Sequence, residues 1–237
     1  MNVNMINVKN ISKTFLINKK IFSVLNNINL KIYSQEIFGL VGDTGSGKTT
    51  LLNILFGFLK PDYNSRTFIR RNFDRYQSAM IFQNFNLLKN LTVFDNVSLP
   101  LKIRKVFTKK EKKKIFDIID FVGLKDYIHF YPHNLSGGQK QRAAIARSLV
   151  YEPKIIFCDE PTSSLNINSV KNILNLFYRI NNKLKTTIVL VSHDPFVIKT
   201  ICNRVAILNK GKIEEIIILK PSYNFDNISY STLFKKN

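Results

Sequence analysis

The stretch Gly42-Asp43-Thr44-Gly45-Ser46-Gly47-Lys48-Thr49-Thr50 puts three glycines, a lysine and several hydroxyls into one short loop. Glycine lets a backbone adopt positive φ and approach a ligand closely. Successive N–H groups can then converge on phosphate oxygens at the start of a helix, whose dipole favours negative charge. The spacing G-x-x-x-x-G-K-T from Gly42 to Thr49 is that of a phosphate-binding loop. In such a loop the lysine, here Lys48, reaches the β- and γ-phosphates of ATP, and the threonine hydroxyl, here Thr49, binds Mg²⁺. The apolar run 37–41 precedes the loop and Leu51, Leu52, Ile54 and Leu55 follow it. That strand, loop and helix context argues against a glycine-rich turn with an incidental lysine.

Two other segments carry chemistry. Residues 154–160 read K-I-I-F-C-D-E, an apolar strand that delivers Asp159 and Glu160 at its carboxyl end. Ligand crevices of open α/β sheets form at that edge. Asp159 is placed to hold Mg²⁺ through water from a strand expected to neighbour the loop's own, and Glu160 is a candidate general base toward an attacking water. Leu135-Ser136-Gly137-Gly138-Gln139 begins 87 residues after Lys48 and leads into KQRAAIARSL, a good helix start. A serine and two glycines at a helix N-terminus make a second anion site.

The elements that must position these groups read as an α/β layout with a parallel sheet. Residues 155–158, 187–191 and 205–208 are short, nearly continuous apolar runs, as strands buried on both faces tend to be. Val170, Ile173, Leu174, Phe177 and Ile180 recur at helical spacing between two of them. Residues 6–8, 22–25 and 28–32 read as strands of a β-rich flank, and 84–135 as a mostly helical lobe broken at Pro100 and Pro132. One substantial core is expected over 1–237, with a helical subdomain at about 84–150 and a tail at 220–237.

The net charge of +20 raises nucleic acid or anionic membrane as partners. The 27 Lys against 9 Arg, 27 Asn and only 5 Ala follow AT-rich codon usage, which assigns much of the charge to solvated faces. The run 109–114 reads as a solvated helix end with Ile115, Ile118, Ile119 and Val122 on its apolar side. No aromatic-basic platform accompanies it, so nucleic acid is not expected. Cys158 and Cys202, without metal-ligand spacing, read as buried reduced thiols. No run approaches the roughly 18 to 20 apolar residues of a membrane span and no signal peptide opens the chain, so a cytoplasmic location is expected.

With both phosphate sites in view, the chain resembles the nucleotide-binding subunits of ABC transporters over about residues 3–218, in which LSGGQ is the signature motif. The resemblance implies a RecA-like P-loop NTPase core with an antiparallel β flank and an inserted helical subdomain. It implies that Leu135, Ser136, Gly137, Gly138 and Gln139 close on ATP held by the P-loop of a second copy, giving a homodimer. On matching positions it implies that Gln83 touches Mg²⁺ and senses a permease, that His193 contacts the γ-phosphate, and that Phe15 stacks on adenine, a core phenylalanine being the alternative there. The family's usual acidic residue after the D-E pair is Asn166 here, which implies a tuned site, and residues 61–79 are short for the antiparallel subdomain.

Several stretches, among them MIFQNFNLLKNLTVFDNVSLPL, are similar to the methionine-import ATPases. That implies uptake of methionine or a related amino acid through an integral-membrane permease, an extracytoplasmic substrate-binding protein, and a peripheral place on the inner face of the cell membrane. A regulatory C-terminal domain of that subfamily is expected to be missing. An ATPase of a lipoprotein-release or cell-division system is the alternative.

Overall fold

The computed structural model describes residues 3–223 and 225. A six-stranded sheet has the order β5 (Ser78–Ile81), β6 (Ile155–Asp159), β7 (Thr187–Val191), β3 (Ile37–Val41), β8 (Arg204–Asn209) and β9 (Lys212–Ile218). Its strands run parallel except β9, which returns antiparallel to β8 at one edge. A second sheet is antiparallel: β1 (Asn4–Ile17) lies between β2 (Lys20–Tyr33) and the short β4 (Phe68–Arg71).

The apolar runs of the large sheet are continuous because each strand feeds two cores. Ile155 and Phe157 of β6 join one cluster with Leu51, Leu52, Ile54 and Leu55 of helix α1 (Lys48–Phe56) and Ile6, Val8 and Leu30 of the antiparallel sheet. Ile156 and Cys158 face the other way. They pack with α2 (Val93–Ile103), α3 (Lys109–Phe121), α4 (Gly137–Leu149), α5 (Ile167–Leu184) and α6 (Pro195–Ile201). Burial of this kind contributes on the order of 25 cal/mol for each Å² of apolar surface removed from water. Both cysteines are buried and free, as expected, and burial pushes both thiols above their ordinary value, which keeps them protonated and inert. The lysine run does open α3 on its exposed face, with Ile115 and Ile119 buried beneath.

Three expectations are corrected. The strands of the β flank are longer than periodicity indicated, because β1 and β2 form one extended hairpin whose ladder passes its irregular pairings. Residues 84–92 are not helical: the buried Asn96 side chain accepts from Leu88 N at 2.8 Å and donates to the carbonyls of Leu88, Leu91 and Thr92, which satisfies that backbone without a helix. Pro100 does not break α2. It lies in the last turn, where a missing N–H removes one bond only, and its carbonyl accepts from the Tyr151 hydroxyl at 2.8 Å. Pro132 does open a short 3₁₀ turn outside the helices. Of the expected tail, 220–223 and 225 fall within the described residues, where Tyr223 and Phe225 pack on Tyr178 of α5; Asn224 and 226–237 lie outside them.

Candidate functional site

The loop between β3 and α1 closes over the carboxyl edge of the parallel sheet. Gly42 has φ 154, and a Cβ there would stand 2.0 Å from the Leu208 carbonyl oxygen, so the loop's approach to β8 excludes any side chain. Gly47 caps α1 in the left-handed region at φ 104 with no side-chain cap and no acidic residue in the first turn. The N–H groups of that turn are therefore left to a ligand. The Lys48 ammonium is buried and donates to the Gly42 and Asp43 carbonyls, both at 2.8 Å. A cavity of about 370 Å³ opens here, lined by Val24, Thr44, Gly45, Gly47, Lys48, Thr49, Thr50 and Glu160.

Asp159 reaches this loop differently from the expectation. Strand β7 lies between β3 and β6, so Asp159 is not on a neighbouring strand. Contact is made because α1 crosses the sheet onto β6, where Phe56 meets Phe157 edge-on at 5.5 Å. The first turn of α1 then brings the Thr49 hydroxyl to donate to Asp159 Oδ1 at 3.2 Å. Burial pushes the Asp159 carboxyl above its ordinary value, the Thr49 hydrogen bond opposes that, Glu160 adds to it, and Lys48 opposes it. Glu160 follows at φ 48, a left-handed conformation that turns its side chain away from the strand direction. Its Oε2 lies 3.2 Å from Nδ1 of His193, two residues beyond β7. Gln83, two residues beyond β5, is exposed and donates weakly to Ser163 Oγ at 3.5 Å. Lys48, Thr49, Asp159, Glu160, His193 and Gln83 thus converge on one sheet edge.

The signature loop lies elsewhere: none of Leu135, Ser136, Gly137, Gly138 and Gln139 lines the cavity at Lys48. Ser136 and Gln139 form a reciprocal cap on α4, with Gln139 N donating to Ser136 Oγ and Ser136 N to Gln139 Oε1 at 2.7 Å. Gly138 packs against Ser169 of α5. Asn166, noted for its missing charge, caps α5 by accepting from Ser169 N at 2.9 Å. Phe15 is half-buried and belongs to neither apolar core, so it is not a core phenylalanine. It pairs with Phe22 near the bulged Val24, which does line the cavity.

Sequence reasoning missed Val24 and Gly211. The Gly211 N–H donates to Ser46 O at 3.1 Å while its carbonyl accepts from Asn26 N at 2.8 Å, tying the loop to both sheets. The only local signal, N-K-G-K, reads as a hairpin turn.

Mg²⁺ fits this donor set. Among the described residues no cluster of three His, Cys, Asp or Glu could cage a metal. One hydroxyl and one carboxylate in contact suit an ion that keeps waters and takes substrate phosphate oxygens. Ser46 Oγ is buried without a hydrogen-bond partner inside the same loop, an acceptor and donor still open to such a ligand.

A mostly parallel sheet with a phosphate-binding loop after a central strand, two carboxylates at the end of a second strand and a signature helix defines a P-loop nucleotide-binding cassette. Residues 25–163 match the family described as ABC transporter. The chain belongs to that family. It is 46% identical over 224 residues to the methionine import ATP-binding protein of Clostridium acetobutylicum, covering 89% of this chain and 68% of that one. It is 42% identical over 222 residues to the protein of that description from Francisella tularensis, covering 90% and 63%. The chain thus spans about two thirds of the length of these relatives. The dimeric ATP-binding cassette MJ0796, bound to ADP and Pi, superposes with a TM-score of 0.78 at 33% identity over 91% of this chain and 99% of that one.

Among the described residues no helix is long and apolar enough to cross a membrane.

Proposed function

We propose that the chain is the ATP-hydrolysing subunit of an ABC importer for methionine or a related amino acid. The observation that carries the catalytic part is the meeting of the Thr49–Asp159 and Glu160–His193 pairs beside the P-loop cavity. The import reading rests on the similarity to methionine import proteins over nine tenths of the chain. A peripheral place on the inner face of the membrane, against a permease served by a substrate-binding protein, belongs to the same reading.

In this mechanism the α1 N-terminus, Gly42, Asp43, Thr44, Gly45, Ser46, Gly47, Thr50 and the Lys48 ammonium cradle the triphosphate. Thr49 and Asp159, with Gln83, would hold Mg²⁺, which when bound neutralises charge on the β- and γ-oxygens. Glu160 takes the proton of the water that attacks the γ-phosphorus as the bond to the β-phosphate oxygen breaks. His193, 3.2 Å from Glu160, orients that carboxylate and faces the γ-phosphate. In this reading Phe15, which pairs with Phe22 close to the cavity-lining Val24, stacks on the adenine. Because the signature residues do not line their own chain's cavity, a second copy supplies them, and two chains sandwich two ATP molecules.

Glu160→Gln with Mg-ATP tests the assignment. Binding persists, turnover falls by roughly 10² to 10⁴, and light scattering detects a dimer; Lys48→Ala instead weakens binding. Wild-type turnover in Glu160→Gln overturns the assignment of the base. Methionine-stimulated ATP hydrolysis in a reconstituted complex with the permease tests the substrate, and no response to any amino acid removes it.

A further inference from the structure

Past the Thr14–Ser23 pair the β1–β2 ladder leaves the body of the protein, and every residue from 16 to 23 is exposed. The tip is nevertheless apolar: Leu16 is 73% exposed and Ile21 76%, with Ile17 and Phe22 about half so. Leu16 pairs with Ile21, and Phe15 with Phe22. Cross-strand partners share a face and successive residues alternate, so Leu16 and Ile21 occupy one face and Phe15 and Phe22 the other. Beyond the half-buried Phe15, neither face of this hairpin rests on its own protein. The turn at Asn18 and Lys19, both left-handed at φ 50 and 63, ends it tightly.

The charges on the tip itself have one sign, those of Lys19 and Lys20, while Lys13 at its base is already paired with Asp62 at 3.2 Å. We infer that the β1–β2 tip rests in an anionic lipid surface, its aliphatic side chains among the upper acyl chains and the long side chains of Lys19 and Lys20 reaching back to the headgroups. At about 3.4 Å per residue Leu16 and Ile21 stand about 7 Å beyond the Thr14–Ser23 pair, within the roughly 5 to 10 Å to which interfacial apolar side chains bury. A second copy fits poorly: two such tips bring like charges together, and four side chains bury far less than the roughly 800 Å² per partner of a stable interface. This lipid contact needs no permease and stands apart from the importer reading.

The chain has no tryptophan, so Ile17→Trp is a single reporter. The full chain is mixed with vesicles of phosphatidylcholine and phosphatidylglycerol, and with pure phosphatidylcholine, in sedimentation and fluorescence. The protein sediments with the mixed vesicles, and the emission of the introduced tryptophan shifts to the blue on them. Leu16→Asp with Ile21→Asp lowers partitioning about tenfold or more, and Lys19→Gln or Lys20→Gln about fivefold each. Thermal melting and basal ATP hydrolysis stay unchanged in the aspartate variant, which shows that the cassette is folded. No sedimentation with mixed vesicles overturns the inference. Undiminished binding of the aspartate variant also overturns it, because the overall charge then suffices. A blue shift without vesicles that grows with protein concentration assigns the tip to a second copy and overturns it too.

Discussion

Gly138→Ala tests why the signature loop has the glycines it has. A Cβ at this position would stand 2.7 Å from Ser169 Oγ and 3.0 Å from Ser169 Cβ, where carbon contacts are comfortable at about 3.5 to 4.0 Å. Rotation of the Ser169 side chain moves its Oγ but leaves its Cβ at 3.0 Å, on a backbone whose N–H is held by Asn166 at 2.9 Å at the start of α5. The N-terminus of α4 must therefore retreat. Overpacking of this kind costs about 1 to 3 kcal/mol, and alanine over glycine in a helix returns about 1 kcal/mol, so the net loss is about 0 to 2 kcal/mol. In a chain of this size that lowers Tm by no more than about 8 °C. Turnover is the more sensitive readout, since a misplacement of about 1 Å can cost about a hundredfold. We expect Mg-ATP hydrolysis to fall about tenfold or more in Gly138→Ala and to recover when Ser169→Gly is added, because the second change removes both atoms in the way. Wild-type turnover in the single variant, or no recovery in the double, refutes the packing argument and leaves close approach to a ligand as the reason for the glycine.

Asn166→Ala lowers stability by about 1 kcal/mol in urea unfolding while Asn166→Asp keeps the cap, and an unchanged alanine variant shows that the bond to Ser169 is not worth making. Asn96→Ala strands the backbone of 88–92 and costs about 3 kcal/mol or more, since each buried group left unpaired costs about 1 to 3 kcal/mol; a loss below about 1 kcal/mol contradicts the reading of that loop. The Lys102 ammonium, helped by the Thr92 hydroxyl, holds the Asp95 carboxyl below its ordinary value of 3.8. Its contribution is full above that value and is lost as pH falls through the depressed one, so the stability gap between wild type and Asp95→Asn closes on acidification, and a gap constant with pH removes the pair from the account.

Wherever chemistry depends on a few consecutive residues, the sequence by itself determined it. G-x-x-x-x-G-K-T demands its strand, turn and helix because each glycine answers a local backbone constraint, and the structure has β3, loop and α1 there. Asp159 and Glu160 were legible for the same reason, standing at the end of an apolar run that reads as a strand, whereas His193 entered through the resemblance to the family. The helix start read at Ser136 is also there, as the N-terminus of α4. Whatever depends on the order of elements in space was not legible. Nothing local says that β7 inserts between β3 and β6, and only the crossing of α1 over the sheet explains how Thr49 meets Asp159. Asn96 shows the limit from the other side, because a buried amide can satisfy the backbone of 88–92 only after helix α2 is packed, and helical spacing carries no trace of it. Val24, Gly211 and Ser169 were invisible because each matters through a residue far along the chain, and such contacts are decided by how the layers pack, not by the spacing of neighbours.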